Sequence, residues 1–193
     1  LRPRSFPKRD TSREQVLDEL RSSGLDFNFE FLDAGLPEKI SKFQFRSITE
    51  IFAALDVEVD RSIVVSSGTG SGKTNAYFIP MFNWIARELE NKGHLGVRTI
   101  ALYPRVELLK DQLMNALMEV RKINEVLKQK LLPTIRIGVW FGDTPQKLTS
   151  DHLEKYNKNW EKTKYANKNA WKCPFLRCPV CEVPHDLVLL NEG

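Results

Sequence analysis

The stretch Ser67-Gly68-Thr69-Gly70-Ser71-Gly72-Lys73-Thr74 has the make-up of a phosphate cradle. Backbone N–H groups can turn inward around anionic oxygens only where side chains leave room, so glycine must recur. A helix that starts where the loop ends adds the positive end of its dipole. In such a site Lys73 reaches the β- and γ-phosphates of ATP, and the Thr74 hydroxyl ligates Mg²⁺. A second constellation is Cys173-x4-Cys178-x2-Cys181-x3-His185. The Cys178-Pro179-Val180-Cys181 knuckle turns two thiolates toward one point, as tetrahedral Zn²⁺ requires. Cys173 supplies a third ligand, and the fourth is either His185 or a residue beyond Gly193. A site closed by four protein ligands is structural rather than catalytic. All three cysteines fall between 173 and 181, which excludes a disulfide framework, and no thioredoxin-like context surrounds the C-x-x-C pair.

The phosphate loop needs a strand leading in and a helix leading out. Ile63-Val64-Val65 is a short apolar run of buried-strand type, and a helical pattern follows from Lys73 to about Glu90. Pro80 is expected to bend that helix, and Asn91-Lys92-Gly93 to stop it. Val97 to Tyr103 is again strand-like. Leu109, Leu113, Leu117, Val120, Ile123 and Leu127 then recur at helical spacing between Val106 and Lys130. Thr134 to Phe141 gives a third strand and Asp186 to Leu190 a fourth. Alternating strands and helices predict an α/β fold with a parallel sheet. Upstream, Ser12 to Ser22 and Asp33 to Leu55 are helical regions. Residues 1 to 13 carry Arg2, Arg4, Lys8, Arg9 and Arg13, a mobile basic arm with a solvated tail as the plain alternative.

Hydrophobic residues at 41% are enough for a core in a chain of 193 residues. No apolar run approaches the ~20 residues that span a bilayer, and no apolar signal region follows Leu1-Arg2-Pro3-Arg4. An intracellular protein without a membrane partner is expected. The formal charge of +4 is compatible with a polyanion. Between 151 and 172 lysines alternate with Tyr156, Trp160, Tyr165 and Trp171. That mixture is either a single-strand binding surface or an insertion whose aromatics pack inward.

The loop departs from G-x4-G-K-[ST] at its first position, where Ser67 stands for Gly. The remainder resembles the A-x-T-G-x-G-K-T form of superfamily 2 helicases, with Ser67 in place of the small Ala and Thr69, Gly70, Gly72, Lys73 and Thr74 matching. Tyr103-Pro104-Arg105-Val106-Glu107-Leu108-Leu109-Lys110-Asp111-Gln112 resembles motif Ia of that family, and Ala76 to Pro80 the helix after its loop. Gly142-Asp143-Thr144-Pro145 resembles the Y-x-G-D-T-P element of the Lhr-like subgroup. Phe27 and Gln44 resemble the aromatic and glutamine that read adenine in the Q motif. By these motifs the chain resembles the Lhr-like helicases and the large helicases of bacterial anti-phage systems of Druantia and DISARM type.

The resemblance covers roughly residues 25 to 145 and implies the first RecA-like domain of an ATP-driven helicase. It implies nucleotide contacts from Phe27, Gln44 and 67–74. It also implies that Pro104, Arg105, Gly142, Asp143 and Thr144 touch a nucleic-acid backbone, DNA ahead of RNA. On this reading residues 1–24 are an arm with a short helix. Residues 25–145 are the N-terminal part of the ATP-binding domain, and 146–185 a lysine- and aromatic-rich insertion with a zinc knuckle. Residues 186–193 begin the next core strand. No D-E-x-H or D-E-A-D box occurs in the sequence. The expectation is therefore an N-terminal fragment of a larger motor, with its second RecA-like domain elsewhere and no hydrolysis of its own. The alternative is a regulatory module that binds nucleotide and nucleic acid without hydrolysing. A P-loop NTPase unrelated to nucleic acid fits motif Ia poorly.

Overall fold

Two capping boxes set the first long helices. Ser12 accepts from the Gln15 amide while the Gln15 side chain accepts from the Ser12 amide, and α1 (Arg13–Ser22) follows. Ser41 and Gln44 repeat the arrangement ahead of α3 (Lys42–Leu55). Each side-chain cap satisfies an otherwise orphaned amide and contributes about 1 kcal/mol. Between them lies α2 (Phe29–Gly35), capped by Asn28, whose side-chain oxygen accepts from the amides of Glu30 and Phe31. The single helical region expected from Asp33 to Leu55 is thus interrupted. Pro37 falls in the break, where β2 (Lys39–Ile40) pairs antiparallel with β1 (Thr11–Ser12).

The computed structural model describes residues 8–25, 27–57, 61–68, 70–93, 96–142, 144–147, 149–165, 167–177 and 186–190. The chain divides into two compact units, the first formed by Leu1–Ile100 with Glu119–Arg136 and the second by Ala101–Met118 with Ile137–Gly193. In the first unit the core gathers Val16, Leu17 and Leu20 from α1 with Phe27, Leu32, Leu36, Ile40, Ile48, Phe52 and Ile79. α4 (Lys73–Lys92) supplies Ile79 and runs through Pro80 without ending, since a proline removes only one bond of the ladder. Gly93, at φ +59°, closes it in the left-handed conformation. α5 (Val106–Gln129) buries Leu113, Ala116, Val120, Ile123 and Leu127, the three-and-four spacing of one helical stripe.

The second unit contains α6 (Ser150–Tyr156) and an antiparallel sheet of β3 (Glu161–Tyr165), β4 (Lys168–Arg177) and β5 (Asp186–Leu190), in that order. Leu153, Trp160, Trp171 and Cys173 form its core cluster. Residues 186–190 form the expected strand, which pairs antiparallel with β4. The expected parallel sheet is not seen among the described residues. Segments 61–66, 97–103 and 134–141 make no strand pairing there, and Val64, Leu102 and Trp140 are about nine-tenths exposed (90%, 88% and 90%). No helix among the described residues is long and apolar enough to cross a membrane.

A polar cluster ties three helices of the first unit. Lys130, just past α5, donates to Glu30 of α2 at 2.7 Å and to Glu90 of α4 at 2.9 Å, and lies over the Phe31 ring. Asn28 also donates to Glu90. The Lys130 bond, reinforced by Asn28, holds the Glu90 carboxyl below its ordinary range, while Glu30 and Glu90 raise the Lys130 ammonium. A carboxylate lowered by folding adds stability above its unfolded value and loses it as pH falls through its folded value. The raised lysine keeps its contribution until pH climbs past the ordinary lysine range. Glu90→Gln should therefore lower the thermal midpoint at neutral pH, with the gap to wild type closing between about pH 5 and 3. A gap that stays constant across that range would show that Glu90 acts by packing rather than charge.

Candidate functional site

The glycine loop sits at the start of α4, with Gly72 as its N-cap. Gly70 and Gly72 hold φ of +76° and +81°, values that side chains disfavour. Gly72 has a further reason to be glycine. A Cβ there would lie 2.4 Å from Gln44 Nε2 and 2.9 Å from its Cδ.

That closeness comes from a hydrogen bond, since Gln44 Nε2 donates to the Gly72 carbonyl at 3.1 Å. Its Oε1 accepts from the amide and hydroxyl of Ser41 at 2.9 and 3.2 Å. Gln44 is 1% exposed, so one side chain caps α3 and ties it to the phosphate loop. The S-x-x-Q pattern at Ser41 to Gln44 carries a capping-box signal that the sequence reading did not use. Within the loop Lys73 Nζ donates to the carbonyls of Ser67 and, at 2.9 Å, Gly68. Ser71 Oγ donates to the Gly68 carbonyl at 2.8 Å and bonds the Ser67 hydroxyl. Thr74 lies in the first turn of α4 and is half-buried. Thr69 lies outside the described residues. α4 presents its N-terminal amides where the loop ends, the arrangement that binds anionic oxygens.

Phe27 does not join this site. It is buried in the core, edge-on to Phe52 at 4.8 Å and to Phe29 at 5.6 Å.

In the second unit the backbone-contact candidates come together. Arg105 and Pro104 are exposed just before α5, and the Arg105 carbonyl accepts from Leu109. Gly142 lies in a turn closed twice, by the Thr144 amide on the Phe141 carbonyl at 2.9 Å and the Phe141 amide on Thr144 Oγ1 at 3.0 Å. Lys110 of α5 lies 5.5 Å over the Phe141 ring, which brings the start of α5 beside the turn. Asp143 lies outside the described residues. So do Cys178, Cys181 and His185. Cys173 is on β4, buried with Trp160, Trp171 and Leu153. β4 and β5, paired from Arg177 to Asp186, bracket the segment that carries the other three. Among the described residues no group of three metal-binding side chains occurs.

The chain is similar to several known proteins. The DEAD/DEAH box helicase family matches residues 41–165. The Druantia protein DruE of Escherichia coli is 30% identical over 120 residues, 59% of this chain and 6% of that protein. The ATP-dependent RNA helicase DBP9 of Scheffersomyces stipitis is 37% identical over 81 residues, 40% of this chain and 14% of that protein. The mitochondrial ATP-dependent RNA helicase MSS116 of Saccharomyces cerevisiae is 25% identical over 124 residues, 62% of this chain and 17% of that protein. The chain thus spans less than a fifth of the length of each of these relatives. No solved structure matches it. With the family matched across both the loop and the motif Ia region, the chain belongs to the DEAD/DEAH box helicases of superfamily 2, whose fold is the RecA-like α/β domain.

Proposed function

We propose that this chain is the nucleotide-gripping front of an ATP-dependent helicase or translocase that works on DNA, in anti-phage defence. Residues 25–145 are the N-terminal part of its ATP-binding domain, and 146–185 an insertion. The observation that carries the reading is the glycine loop, held at the head of α4 by Gln44, where a side chain at Gly72 would strain the backbone and displace that tether. Residues 67–74 would bind ATP, with Lys73 on the terminal phosphates and Thr74 holding Mg²⁺. Bound Mg²⁺ would neutralise charge between the phosphates. This family also needs an acidic box for that ion and arginines from a second RecA-like domain, and the rest of the protein would supply both. The similarity to the Druantia protein supports the defence setting. Two relatives carry the description of RNA helicases, so RNA is the competing substrate, and competition between DNA and RNA strands of equal length decides. If the parent protein lacks an acidic box, the non-hydrolysing regulatory reading holds instead.

Lys73→Ala removes a charge-assisted contact to the phosphates and should abolish turnover by the full-length protein while leaving it folded. Unchanged ATP turnover by that variant sinks the nucleotide-site assignment.

Arg105 and the Gly142 to Thr144 turn would grip the sugar-phosphate backbone, with the exposed Lys155, Lys158, Lys164 and Lys168 extending the basic surface. Contacts of this kind give little sequence preference and a steep salt dependence. In the full-length protein Arg105→Ala should weaken binding equally for unrelated single strands and make the log–log salt slope shallower by about one. Intact affinity and slope would reduce Pro104-Arg105 to a helix lead-in.

Zinc is part of the same proposal. Cys173, Cys178, Cys181 and His185 would hold one Zn²⁺, and the dry surround of Trp160 and Trp171 at Cys173 fits a closed structural site. Purification under reducing, chelator-free conditions should give a stoichiometry near one zinc per chain, lost on acidification because thiolates must be deprotonated to bind. A value near zero excludes the site.

A further inference from the structure

In the second unit one aromatic of the lysine-rich stretch stays in water. Leu153, Trp160, Trp171 and Cys173 are buried together, whereas Tyr156, the last residue of α6, is 62% exposed. Among the described side chains between residues 147 and 173, no other large hydrophobic is exposed. The backbone on both sides of Tyr156 is fixed. Leu153 is fully buried, the Asn157 amide donates to the Leu153 carbonyl at 3.0 Å, and the Trp160 amide donates to the Asn157 carbonyl at 2.9 Å. Tyr156 therefore stands on a helix end anchored in the core of its unit.

A single exposed aromatic is ordinary on a protein surface, but the neighbours of this one are of a particular kind. His152, one helical turn earlier, sets its ring centroid 4.8 Å from that of Tyr156 at an interplanar angle of 40°. The Lys155 ammonium lies 5.1 Å from the Tyr156 ring centroid. Lys158, Lys164 and Lys168 are exposed in the same unit. Of the acidic residues in this stretch, Glu154 pairs with Lys162, and Asp151 and Glu161 are exposed. A protein partner would surround such a ring with apolar contacts that exclude water, and the side chains described around it offer none. A ring among ammonium groups instead suits a ligand that is flat and apolar on its face and anionic along its edge. An unpaired base on a sugar-phosphate strand is such a ligand, whereas a duplex offers phosphates without free base faces.

We propose that Tyr156 is a stacking position for one unpaired base of a nucleic-acid strand, with the surrounding lysines on the flanking phosphates. The proposal rests on the nucleic-acid reading above and adds to its backbone grip a residue that distinguishes single strands from duplex. Every base has a π-face, so the contact is tolerant of sequence, and because it does not involve the sugar it holds DNA and RNA alike. Removing the ring lowers affinity without changing the number of counterions released, unlike removal of a lysine.

The test is equilibrium binding of the full-length protein to a mixed-sequence DNA strand, an RNA strand of the same sequence, the corresponding DNA duplex, and a strand of equal length built from abasic spacers. Tyr156→Ala should weaken binding to both intact single strands by one common factor, about five- to a hundredfold. Binding to the duplex and the abasic strand should stay at the wild-type level, and the log–log salt slope should not move. Tyr156→Phe and Tyr156→Trp keep a ring and should keep the affinity. Equal loss with Tyr156→Phe assigns the contact to the hydroxyl, equal loss on the abasic strand assigns the residue a structural role, and unequal loss on DNA and RNA assigns it to the sugar. Each of these outcomes overturns the stacking position. Unchanged single-strand binding by Tyr156→Ala overturns it too, and weakening by Arg105→Ala under the same conditions would show that the nucleic-acid reading survives. Failure of the wild-type protein to bind any of the probes overturns that reading and the stacking position with it.

Discussion

The bond from Gln44 Nε2 to the Gly72 carbonyl joins two requirements that would otherwise be independent. One is the start of α3, where the same side chain completes a capping box with Ser41. The other is the start of α4, where the loop must turn through left-handed dihedrals and leave its amides unobstructed. Because Gln44 is buried and bonded at both its amide nitrogen and its amide oxygen, the start of one helix is registered against the start of the other. A side chain at position 72 would both strain the backbone and displace this tether. The Asn28, Glu90 and Lys130 cluster fixes the far end of α4 in the same unit, so the helix behind the loop is held at both ends.

The parts of this arrangement that were legible in the sequence are those set by local demands. Glycines at 70 and 72 signal dihedrals that other residues avoid, and the lysine beside them signals an anion. The stripe of α5 was visible because burial on one helical face repeats every three to four residues. Phe27 shows the complementary limit. An aromatic upstream of a glutamine looks the same in sequence whether it stacks on a base or packs in a core, and its contacts with Phe29 and Phe52 are made by tertiary neighbours. The interruption before α3 was signalled by Pro37 and the Ser41 to Gln44 box, but the apolar spacing on either side masked it.

In the second unit the interleaving of lysines with aromatics conceals two different faces. Trp160 and Trp171 are buried with Leu153 and Cys173, whereas Tyr156 is exposed beside Lys155 and His152. Lys162 is not a free surface charge, since it pairs with Glu154 and lies 5.6 Å over the Trp171 ring. The aromatics therefore do not form one stacking platform. The hairpin of β3 and β4 escaped the sequence reading because lysine and asparagine are poor strand formers. Its pairing is supported by the tryptophan beneath it rather than by strand propensity.

The three segments read as parallel strands illustrate the limit of local reasoning. Ile63 to Val65, Val97 to Tyr103 and Thr134 to Phe141 have the β-branched and aromatic character of buried strands. Yet Val64, Val97, Ile100, Leu102 and Trp140 are exposed, and none of the three segments pairs among the described residues. An antiparallel hairpin can close on its sequence neighbour, as β3 and β4 do. A parallel strand cannot, because each pairing requires a crossover and a partner far along the chain. Helices and hairpins are thus settled by nearby residues, while a RecA-like sheet is settled only when all of its strands are in register. Covering the apolar side chains exposed at these positions would return about 25 cal/mol for each Å² removed from solvent. The same long-range dependence separates the loop from the sheet. Gln44 and the head of α4 hold the glycine loop by contacts within the first unit, whereas the apolar segment that leads into it makes no strand pairing among the described residues.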